Sequence, residues 1–377
     1  MGARHVQASP FCILEPSLGS GFLRSGTIFL VMTESRKHLP ALDGIRAIAV
    51  FVVILYHSGA VTGVPGDLGV AAFFVLSGFL ITWLLIKELD RTGTVSLREF
   101  YKRRTLRIFP AYYAFIILSL IGDALLHHYW SWGIITAAFT YTVNYYNAFL
   151  GHPTTSVAHA WSLAVEEQFY LLWPLLLLTM WKKGRAHTRN VLTLIVACVL
   201  AWRAVLYIGF HVQSSWVYDA FDARCDALAI GCLMALSGSM PSYRRFENAV
   251  SRYSWLPAIT LTLVWLSRTA PSDNYHYTLG MTVEAVLLAV FLIQMLRLSE
   301  SPLWSWLNRP LIRWLGAISY PCYLWHGWGL DFGRHIIDQL VLHGPLWVQF
   351  IAGYVVTIAL ASGSYYLIEK PFLAFKN

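Results

Sequence analysis

Arg46 and His57 are the two basic residues of an otherwise apolar segment, DGIRAIAVFVVILYHSG, at residues 43–59. Eleven residues are close to three helical turns, so both side chains share one helix face, about 16 Å apart along the axis. Ionisable groups inside a membrane helix are costly and usually mark function. A neutral imidazole is suited to general base catalysis. Each residue alone could be an interfacial anchor, but their shared face favours chemistry.

A second basic cluster lies in LREFYKRRTLRIFPAYY, at residues 97–113, and consists of Arg103, Arg104 and Arg107. Guanidinium groups bind phosphate bidentately, so this cluster is suited to a phosphorylated ligand. The alternative is an anchor that binds lipid headgroups. On the residues alone, the headgroup anchor is the simpler interpretation.

Two adjacent carboxylates, Glu166 and Glu167, lie in HAWSLAVEEQFYLLWP, at residues 159–174. Adjacent residues of a helix point about 100° apart, so at most one of them faces a given site. A buried carboxylate without a partner is costly. The expected partners are His57, Arg46 and Arg203. The pair could serve as acid and base, or one carboxylate could form a structural ion pair.

Five further residues are weaker candidates for substrate contacts, in the segments HAWSL, FDARCDALAIGC and ISYPCYLWHGWGLD. They are Trp161, Arg224, Asp226, Tyr323 and His326. His326 is expected at a depth similar to that of His57, and Trp161, Tyr323 or His326 could stabilise an oxyanion. The cysteines show neither a metal-ligand spacing nor a disulfide framework, so no metal is expected.

The elements that must position these residues are membrane helices. Hydrophobic residues form 57% of the 377-residue chain and charged residues 13%, against roughly 45–50% and about 25% in soluble domains. Apolar blocks recur at the length that crosses a bilayer. We predict an all-α polytopic membrane protein, a bundle of about ten transmembrane helices. The predicted spans are residues 44–62, 68–86, 108–126, 161–181, 190–210, 222–238, 254–269, 278–297, 314–331 and 346–368.

The distribution of Lys and Arg among the connecting segments predicts the orientation of this bundle in the membrane. Residues 87–107 hold seven Lys and Arg and residues 182–189 hold four, whereas residues 127–160 and 211–221 hold none. This asymmetry predicts that both termini are cytoplasmic, and it explains the net charge of +8 without a nucleic acid partner. Counting residues 132–150 as another span would reverse the loop at 182–185. We therefore interpret them as an outer-face or re-entrant segment.

Residues 1–38 differ from the rest of the chain, since no stretch there is long and apolar enough to span a membrane. We expect this N-terminal extension to be disordered or to include a non-native start, with Met32 as the native start and residues 1–31 either disordered or not part of the native protein. Residues 39–374 are expected to form one membrane domain.

Seven motifs in order resemble acyltransferase family 3, the integral-membrane O-acyltransferases. They are LPALDGIRAIAVFVVILYHSG, GVAAFFVLSGFLIT, FYKRRTLRIFPAYY, WSLAVEEQFYLLWP, DARCDALAIGCL, AISYPCYLWH and IEKPF. The resemblance implies a multi-pass enzyme of the inner (plasma) membrane. It would move an acetyl or other short acyl group from cytoplasmic acyl-CoA to a hydroxyl of a carbohydrate or glycolipid on the outer side.

The resemblance also implies roles for individual residues. His57 matches the family's essential histidine, Arg46 its partner along the donor path, and the three clustered arginines the contacts for the phosphates of coenzyme A. Glu167, with Glu166 beside it, occupies the acidic motif. One departure is Ala71–Ala72, where many members have a charged or polar residue.

A different class of function uses some of the same residues. In a proton-coupled secondary transporter, or a lipid or glycan flippase, His57, Glu167 and Asp226 would form a proton relay. Such proteins usually have paired halves, and the sequence shows no corresponding halves.

Overall fold

The computed structural model describes residues 40–128, 130–341 and 344–375. These residues form helices and connections, with no strand among them, which agrees with the predicted all-α class. The helices are α1 Pro40–Ser58, α2 Gly66–Thr92, α3 Leu97–Leu125, α4 Trp132–Phe139, α5 Val143–Leu150, α6 Trp161–Trp181, α7 Arg185–Ala204, α8 Ser214–Asp219, α9 Phe221–Ser237, α10 Pro241–Val250, α11 Leu256–Arg268, α12 Met281–Leu298, α13 Pro310–Ala317, α14 Ser319–Val341, α15 Leu346–Ser364 and α16 Lys370–Ala374. Short helical turns precede α6 and α12 at Ala158–Ala160 and Asp273–Gly280. The predictions for residues 1–38 concern a part of the chain outside the described ranges.

Seven helical segments within the described ranges are long and apolar enough to cross a membrane, so the chain is a polytopic membrane protein. They are Ala41–Ser58, Gly66–Thr92, Leu97–Leu125, Ala158–Trp181, Arg185–Gly209, Asp273–Leu298 and Leu346–Ala374. The other three predicted spans correspond to α9, α11 and α14, which are helical but do not meet the same length and hydropathy. The count of ten, and the cytoplasmic position of the termini, therefore stay predictions.

The predicted span at residues 314–331 has the wrong boundaries, because the chain breaks between α13 and α14 at Ile318. Pro321 explains the break: it has no N–H to donate to a carbonyl four residues earlier, so it is tolerated only in a first helical turn. The helix that carries His326 therefore begins at Ser319.

Glycine allows two helices of the core to approach closely. A Cβ atom on Gly78 of α2 would lie 2.0 Å from the carbonyl oxygen of Leu228 in α9, and one on Gly231 would lie 2.2 Å from that of Val75. Small residues at such contacts let membrane helices pack backbone against backbone. Helices α2 and α9 are thus in backbone contact at these two glycines.

A tight connection joins α2 to α3 and brings their basic residues together. Gly93 ends α2 with a φ of 74°, and its N–H donates to Leu89. Ser96 then caps α3 by accepting the N–H of Glu99, a common N-cap arrangement. We call this end of the bundle, with Arg91 and Arg103, the arginine end.

Helices α4 and α5 form a re-entrant hairpin that begins away from the arginine end. Trp130, just before α4, donates to Asp123 near the end of α3 at 2.7 Å. At the other end of α4, Ala138 accepts a hydrogen bond from Tyr112, in the middle of α3, at 2.8 Å. Each helix has eight residues and spans only about 12 Å. The hairpin therefore descends along α3 and returns without crossing the bundle.

Side chains satisfy the carbonyl groups at the tip of this hairpin. The hydroxyl groups of Tyr112 and Tyr113 donate to Ala138 and Phe139, and Gln168 of α6 donates to Tyr141 at 3.0 Å. Irregular backbone at membrane depth is tolerated only where the protein satisfies it. The sequence prediction for residues 132–150 left an outer-face or a re-entrant position open, and these contacts select the re-entrant one.

Candidate active site

The arginine end contains a basic pocket of about 360 Å³ between the end of α2 and the start of α3. Its charged lining residues are Lys87, Glu88, Arg91, Arg103, Arg104 and Arg107. Arg103 lies 3.7 Å from Glu88, so one carboxylate opposes five basic groups. The three arginines predicted from the sequence thus share one pocket. Lys87 and Arg91 were missed, because they precede the motif and join it only through the turn at Gly93.

Glu166 lies behind this pocket in a polar cluster. Ser77 of α2 donates to Glu166 at 2.7 Å, and the hydroxyl group of Tyr170 lies 2.9 Å from that of Ser77. The charges of Arg46 and Arg104 interact with this carboxylate, and the guanidinium of Arg104 packs over the ring of Tyr170. Of the partners expected for the carboxylates, Arg46 is the one whose charge interacts with Glu166.

Glu167 points to a different side of α6. Its charge interacts with Tyr112, Tyr113, Tyr141 and Tyr320, and its atom Oε1 is buried with no hydrogen-bond partner among the described residues. The two carboxylates therefore differ in part in their neighbours, although the charge of Arg104 interacts with both, and the expectation that at most one of them faces a given site stays a prediction.

Three histidine rings meet at the far end of α1. The ring centroids of His57 and His326 are 4.8 Å apart, and those of His326 and His159 are 4.7 Å apart. The rings come from α1, from α14 and from the turn before α6. His159 was missed, because it lies in a connecting turn and only the fold places it beside the other two.

Backbone carbonyl groups fix the tautomers of His57 and His326. The Nδ1 atom of His57 lies 2.9 Å from the oxygen of Val53, and that of His326 lies 2.6 Å from the oxygen of Tyr323. A carbonyl oxygen can only accept, so each Nδ1 carries the proton and each neutral ring keeps a lone pair on Nε2. His57 is exposed, whereas His326 is 1% exposed. A substrate can therefore reach His57.

His159 is held by the same helix as His326. Its Nε2 lies 3.1 Å from the oxygen of Leu324, which leaves the lone pair on Nδ1. The hydroxyl group of Tyr323 donates to the carbonyl oxygen of His159 at 2.7 Å and lies 2.7 Å from Ser162 Oγ, which can donate to it. The one hydroxyl proton of Tyr323 is thus used to hold the turn before α6, which leaves none for a substrate in this arrangement.

Arg224 lies in an aromatic cage beyond the histidines. Its guanidinium lies 5.5–5.7 Å from the ring centroids of Phe74, Trp161 and Tyr218. Arg224 is 4% exposed and Trp161 is 3% exposed. The fold thus brings two of the predicted substrate contacts together, but it buries both, and their substrate roles stay predictions.

Asp226 forms a buried ion pair with Arg203. Its Oδ2 atom lies 2.8 Å from Arg203 Nη2 and accepts a hydrogen bond from Thr282 at 2.7 Å. Arg203 is 0% exposed and Asp226 is 2% exposed. This arrangement favours a structural role for Asp226, so its predicted contact with substrate has no geometric support.

A second pocket, of about 480 Å³, lies on the re-entrant hairpin. Its aromatic lining residues are Trp132, Tyr145, Tyr146 and Phe149, and Thr136 and Thr142 add hydroxyl groups. Trp132 is 82% exposed, so the pocket opens to the surroundings.

Comparison with known proteins places this geometry in context. The sequence profile of a family described as an acyltransferase domain (acyltransferase family 3) matches residues 39–366. A candidate peptidoglycan O-acetyltransferase of Bacillus subtilis is 32% identical over 90% of this chain and 55% of its own length. The peptidoglycan O-acetyltransferase OatA of Listeria monocytogenes is 29% identical over 89% and 56%. The chain thus spans about half the length of these relatives. No solved structure matches it significantly.

Proposed function

Because the chain belongs to the acyltransferase domain family, we propose that it is an integral-membrane O-acetyltransferase that modifies a cell-wall glycan. The donor would be acetyl-CoA, bound at the arginine end on the cytoplasmic side. The acceptor would be a sugar hydroxyl of peptidoglycan or a related glycan outside the inner (plasma) membrane. The names of the two relatives support this acceptor class.

The basic pocket supports coenzyme A as the donor. Coenzyme A carries phosphate groups at one end and a thioester at the end of a long flexible arm. Five basic groups at the pocket suit the phosphates. From there, the charge of Arg46 interacts with that of Glu166, and α1 continues from Arg46 to His57 over about 16 Å. The flexible arm would follow this face of α1.

His57 would act as the general base. Its Nε2 would take the proton of the acceptor hydroxyl as that oxygen attacks the thioester carbonyl carbon. The tetrahedral intermediate would then collapse, the carbon–sulfur bond would break, and the leaving thiolate would recover the proton from Nε2. The products are an O-acetyl ester and free coenzyme A. A positioned base of this kind contributes about 10²- to 10⁴-fold in rate.

The hydrogen bonds that the candidate residues already make limit which of them can stabilise the oxyanion. Of the three candidates predicted from the sequence, Tyr323 and His326 donate their protons to backbone carbonyl groups. Neither is free to donate to a substrate oxygen in this arrangement. Trp161 packs against Arg224 within the aromatic cage.

The pocket on the re-entrant hairpin supports a carbohydrate acceptor. Aromatic rings present flat apolar faces with polar edges, which suit the apolar faces and the hydroxyl groups of sugars. Four aromatic residues and two threonines line this pocket. It lies on the hairpin that enters from the end opposite the arginine pocket, so donor and acceptor would approach from opposite sides.

The single observation that carries the proposal is the exposed imidazole of His57, whose Nδ1–H is fixed on Val53 and whose lone pair is therefore on Nε2. The test is transfer of a labelled acetyl group from acetyl-CoA to peptidoglycan fragments by the purified chain. We expect His57→Ala to abolish transfer, and His187→Ala, on α7, to retain it. Equal activity in both variants would refute the role of His57.

Consumption of acetyl-CoA, measured together with uptake into vesicles, separates the two classes of function. An acyltransferase consumes the thioester, slowly even without an acceptor. A proton-coupled transporter or flippase would move its cargo across vesicle membranes without consuming acetyl-CoA. Proton-coupled uptake that His57→Ala abolishes, with the thioester intact, would overturn the proposed function.

A further inference from the structure

Asp67, His276 and Glu284 form a buried cluster away from the arginine end. Asp67 lies in the first turn of α2, His276 in the turn before α12, and Glu284 in the first turn of α12. Their side chains are 9%, 8% and 3% exposed. One donor atom from each residue lies within 4.8 Å of the others. None of the three belongs to the site around His57.

Two atoms of this cluster lack the hydrogen bonds that buried polar groups usually have. His276 Nδ1 and Glu284 Oε1 are buried without a hydrogen-bond partner among the described residues. They lie 3.8 Å apart, and His276 Nε2 lies 3.9 Å from Asp67 Oδ2. Both distances exceed the range of about 2.7–3.2 Å for a hydrogen bond. The cluster is therefore shielded from water, and these two atoms are left without hydrogen bonds.

We propose that Asp67, His276 and Glu284 bind a zinc ion. One imidazole and two carboxylates are a suitable ligand set for Zn²⁺, whereas Ca²⁺ and Mg²⁺ prefer oxygen ligands alone. Ligands about 2.1 Å from a tetrahedral ion lie about 3.4 Å from each other. One donor atom from each residue lies within 4.8 Å of the other two, so the ligating atoms would need to approach by up to about 1.4 Å. One ring nitrogen of His276 would bind, and a fourth position would remain for water.

Arg268 supports this site from outside the ligand set. Its Nε lies 2.9 Å from Asp67 Oδ1 and 2.8 Å from Oδ2. Hydrogen bonds to ligating carboxylates commonly orient them toward a metal. With a neutral His276, the two carboxylates and Arg268 leave one net negative charge to attract the cation.

A proton on His276 is the competing occupant. An imidazolium together with Arg268 would neutralise the two carboxylates without a metal. Such an imidazolium would hydrogen-bond directly to a carboxylate, yet neither ring nitrogen lies closer than 3.8 Å to the carboxylate that it faces. In the observed arrangement no such hydrogen bond forms, so His276 Nδ1 and Glu284 Oε1 stay available to an ion.

The sequence gives no short motif for this site, because 209 residues separate Asp67 from His276. The expectation that the chain binds no metal rested on short Cys and His spacings. The fold brings the residues together through α2 and α12, and Arg268 adds the end of α11. A bound ion would fasten these helix ends to each other.

The test measures metal on the full chain, purified in detergent through a histidine-free affinity tag. After treatment with a chelator, the protein is titrated with Zn²⁺ and, for comparison, Mn²⁺. We expect about one zinc per chain by elemental mass spectrometry, and a Tm that rises as zinc binds. Glu284→Gln and His276→Gln should lose the bound zinc. Glu247→Gln should keep it, since Glu247 is a buried carboxylate paired instead with Arg297.

Several results would overturn the assignment. The wild-type chain could bind no zinc after chelation, or the two cluster variants could retain as much zinc as wild type. A wild-type Tm that does not respond to zinc would also refute the site. If a cluster variant fails to fold, the wild-type titration alone decides. None of these readings requires acetyl transfer, so they are independent of the proposed function.

Discussion

The imidazole of His57 lies against that of His326, with ring centroids 4.8 Å apart, and each ring donates its Nδ1 proton to a carbonyl group of its own helix. The two rings differ in exposure, because His57 is open and His326 is buried. His326 therefore packs behind the exposed base and limits the orientations that its ring can adopt.

We expect His326→Asn to lower kcat for acetyl transfer while the KM for acetyl-CoA stays near the wild-type value. The reason is that His326 positions His57 but lies away from the basic pocket that would hold the donor. The loss should be smaller than the 10²- to 10⁴-fold contribution of a general base. Steady-state kinetics with labelled acetyl-CoA measures both constants. A raised KM with an unchanged kcat would contradict a positioning role.

We expect Arg104→Ala and Arg107→Ala to raise the KM for acetyl-CoA by about tenfold, because each would remove charge-assisted hydrogen bonds to phosphate. An analogue of acetyl-CoA without the 3′-phosphate identifies the arginine that binds this group. Replacing that arginine should weaken binding of the analogue less than it weakens binding of acetyl-CoA. Arg252→Ala is the matched control, since Arg252 packs on Tyr253, outside the pocket. Unchanged KM values in both pocket variants would show that the arginines anchor lipid headgroups.

We expect Asp226→Ala to destabilise the fold by about 3–5 kcal/mol, because it leaves Arg203 charged and unpaired in the core. Its Tm in detergent should fall below that of wild type, and the double variant Arg203→Met, Asp226→Ala should recover part of the loss. A stable Asp226→Ala protein with an impaired KM for the acceptor would instead support the substrate contact predicted from the sequence.

Asp219 gives the stability of the chain a pH dependence that can be isolated. It lies in α8, outside the membrane-spanning segments, 2.8 Å from His152 Nδ1. Burial raises the pKa of Asp219, and the hydrogen bond with His152 offsets only part of that rise. The folded state then holds this proton more tightly than the unfolded state, so its stabilising effect is lost as pH rises through the raised pKa.

The measurement compares the Tm of wild type and Asp219→Asn across a pH series that starts near about 4, the ordinary pKa of Asp. The Tm of the wild type should fall relative to that of Asp219→Asn as pH rises, because the amide of the variant cannot ionise. A difference that does not change with pH would show that the raised pKa of Asp219 has no influence on stability.

The parts of the site that the sequence predicted are those carried by one continuous element. Arg46 and His57 lie on one helix, and the spacing alone places them on a shared face at two depths. The resemblance to acyltransferase family 3 was drawn from motifs of this local kind and is confirmed. The clustered arginines also lie within a few residues of each other on α3, so their common pocket follows from local structure.

The parts that could not be predicted depend on contacts between distant segments. His159 becomes part of the site only because Leu324 and Tyr323 hold its turn against α14. The sequence made Asp226 a candidate substrate contact, but it could not show that its partner is Arg203 of another helix. Composition does not give the pairing of distant polar residues, whereas the break at Ile318 had a local signal in Pro321 that the span prediction did not use.

The tip of the re-entrant hairpin has a consequence for the order in which the chain is assembled. Tyr112 and Tyr113, which satisfy Ala138 and Phe139, are synthesised before the hairpin, but Gln168, which satisfies Tyr141, is synthesised after it. Until α6 has entered the membrane, the Tyr141 carbonyl lacks this donor, and burying it there would be unfavourable. The backbone at the tip of the hairpin is therefore satisfied only when helices from both sides of it in the sequence are in place, so we expect the hairpin to settle in the membrane after α6.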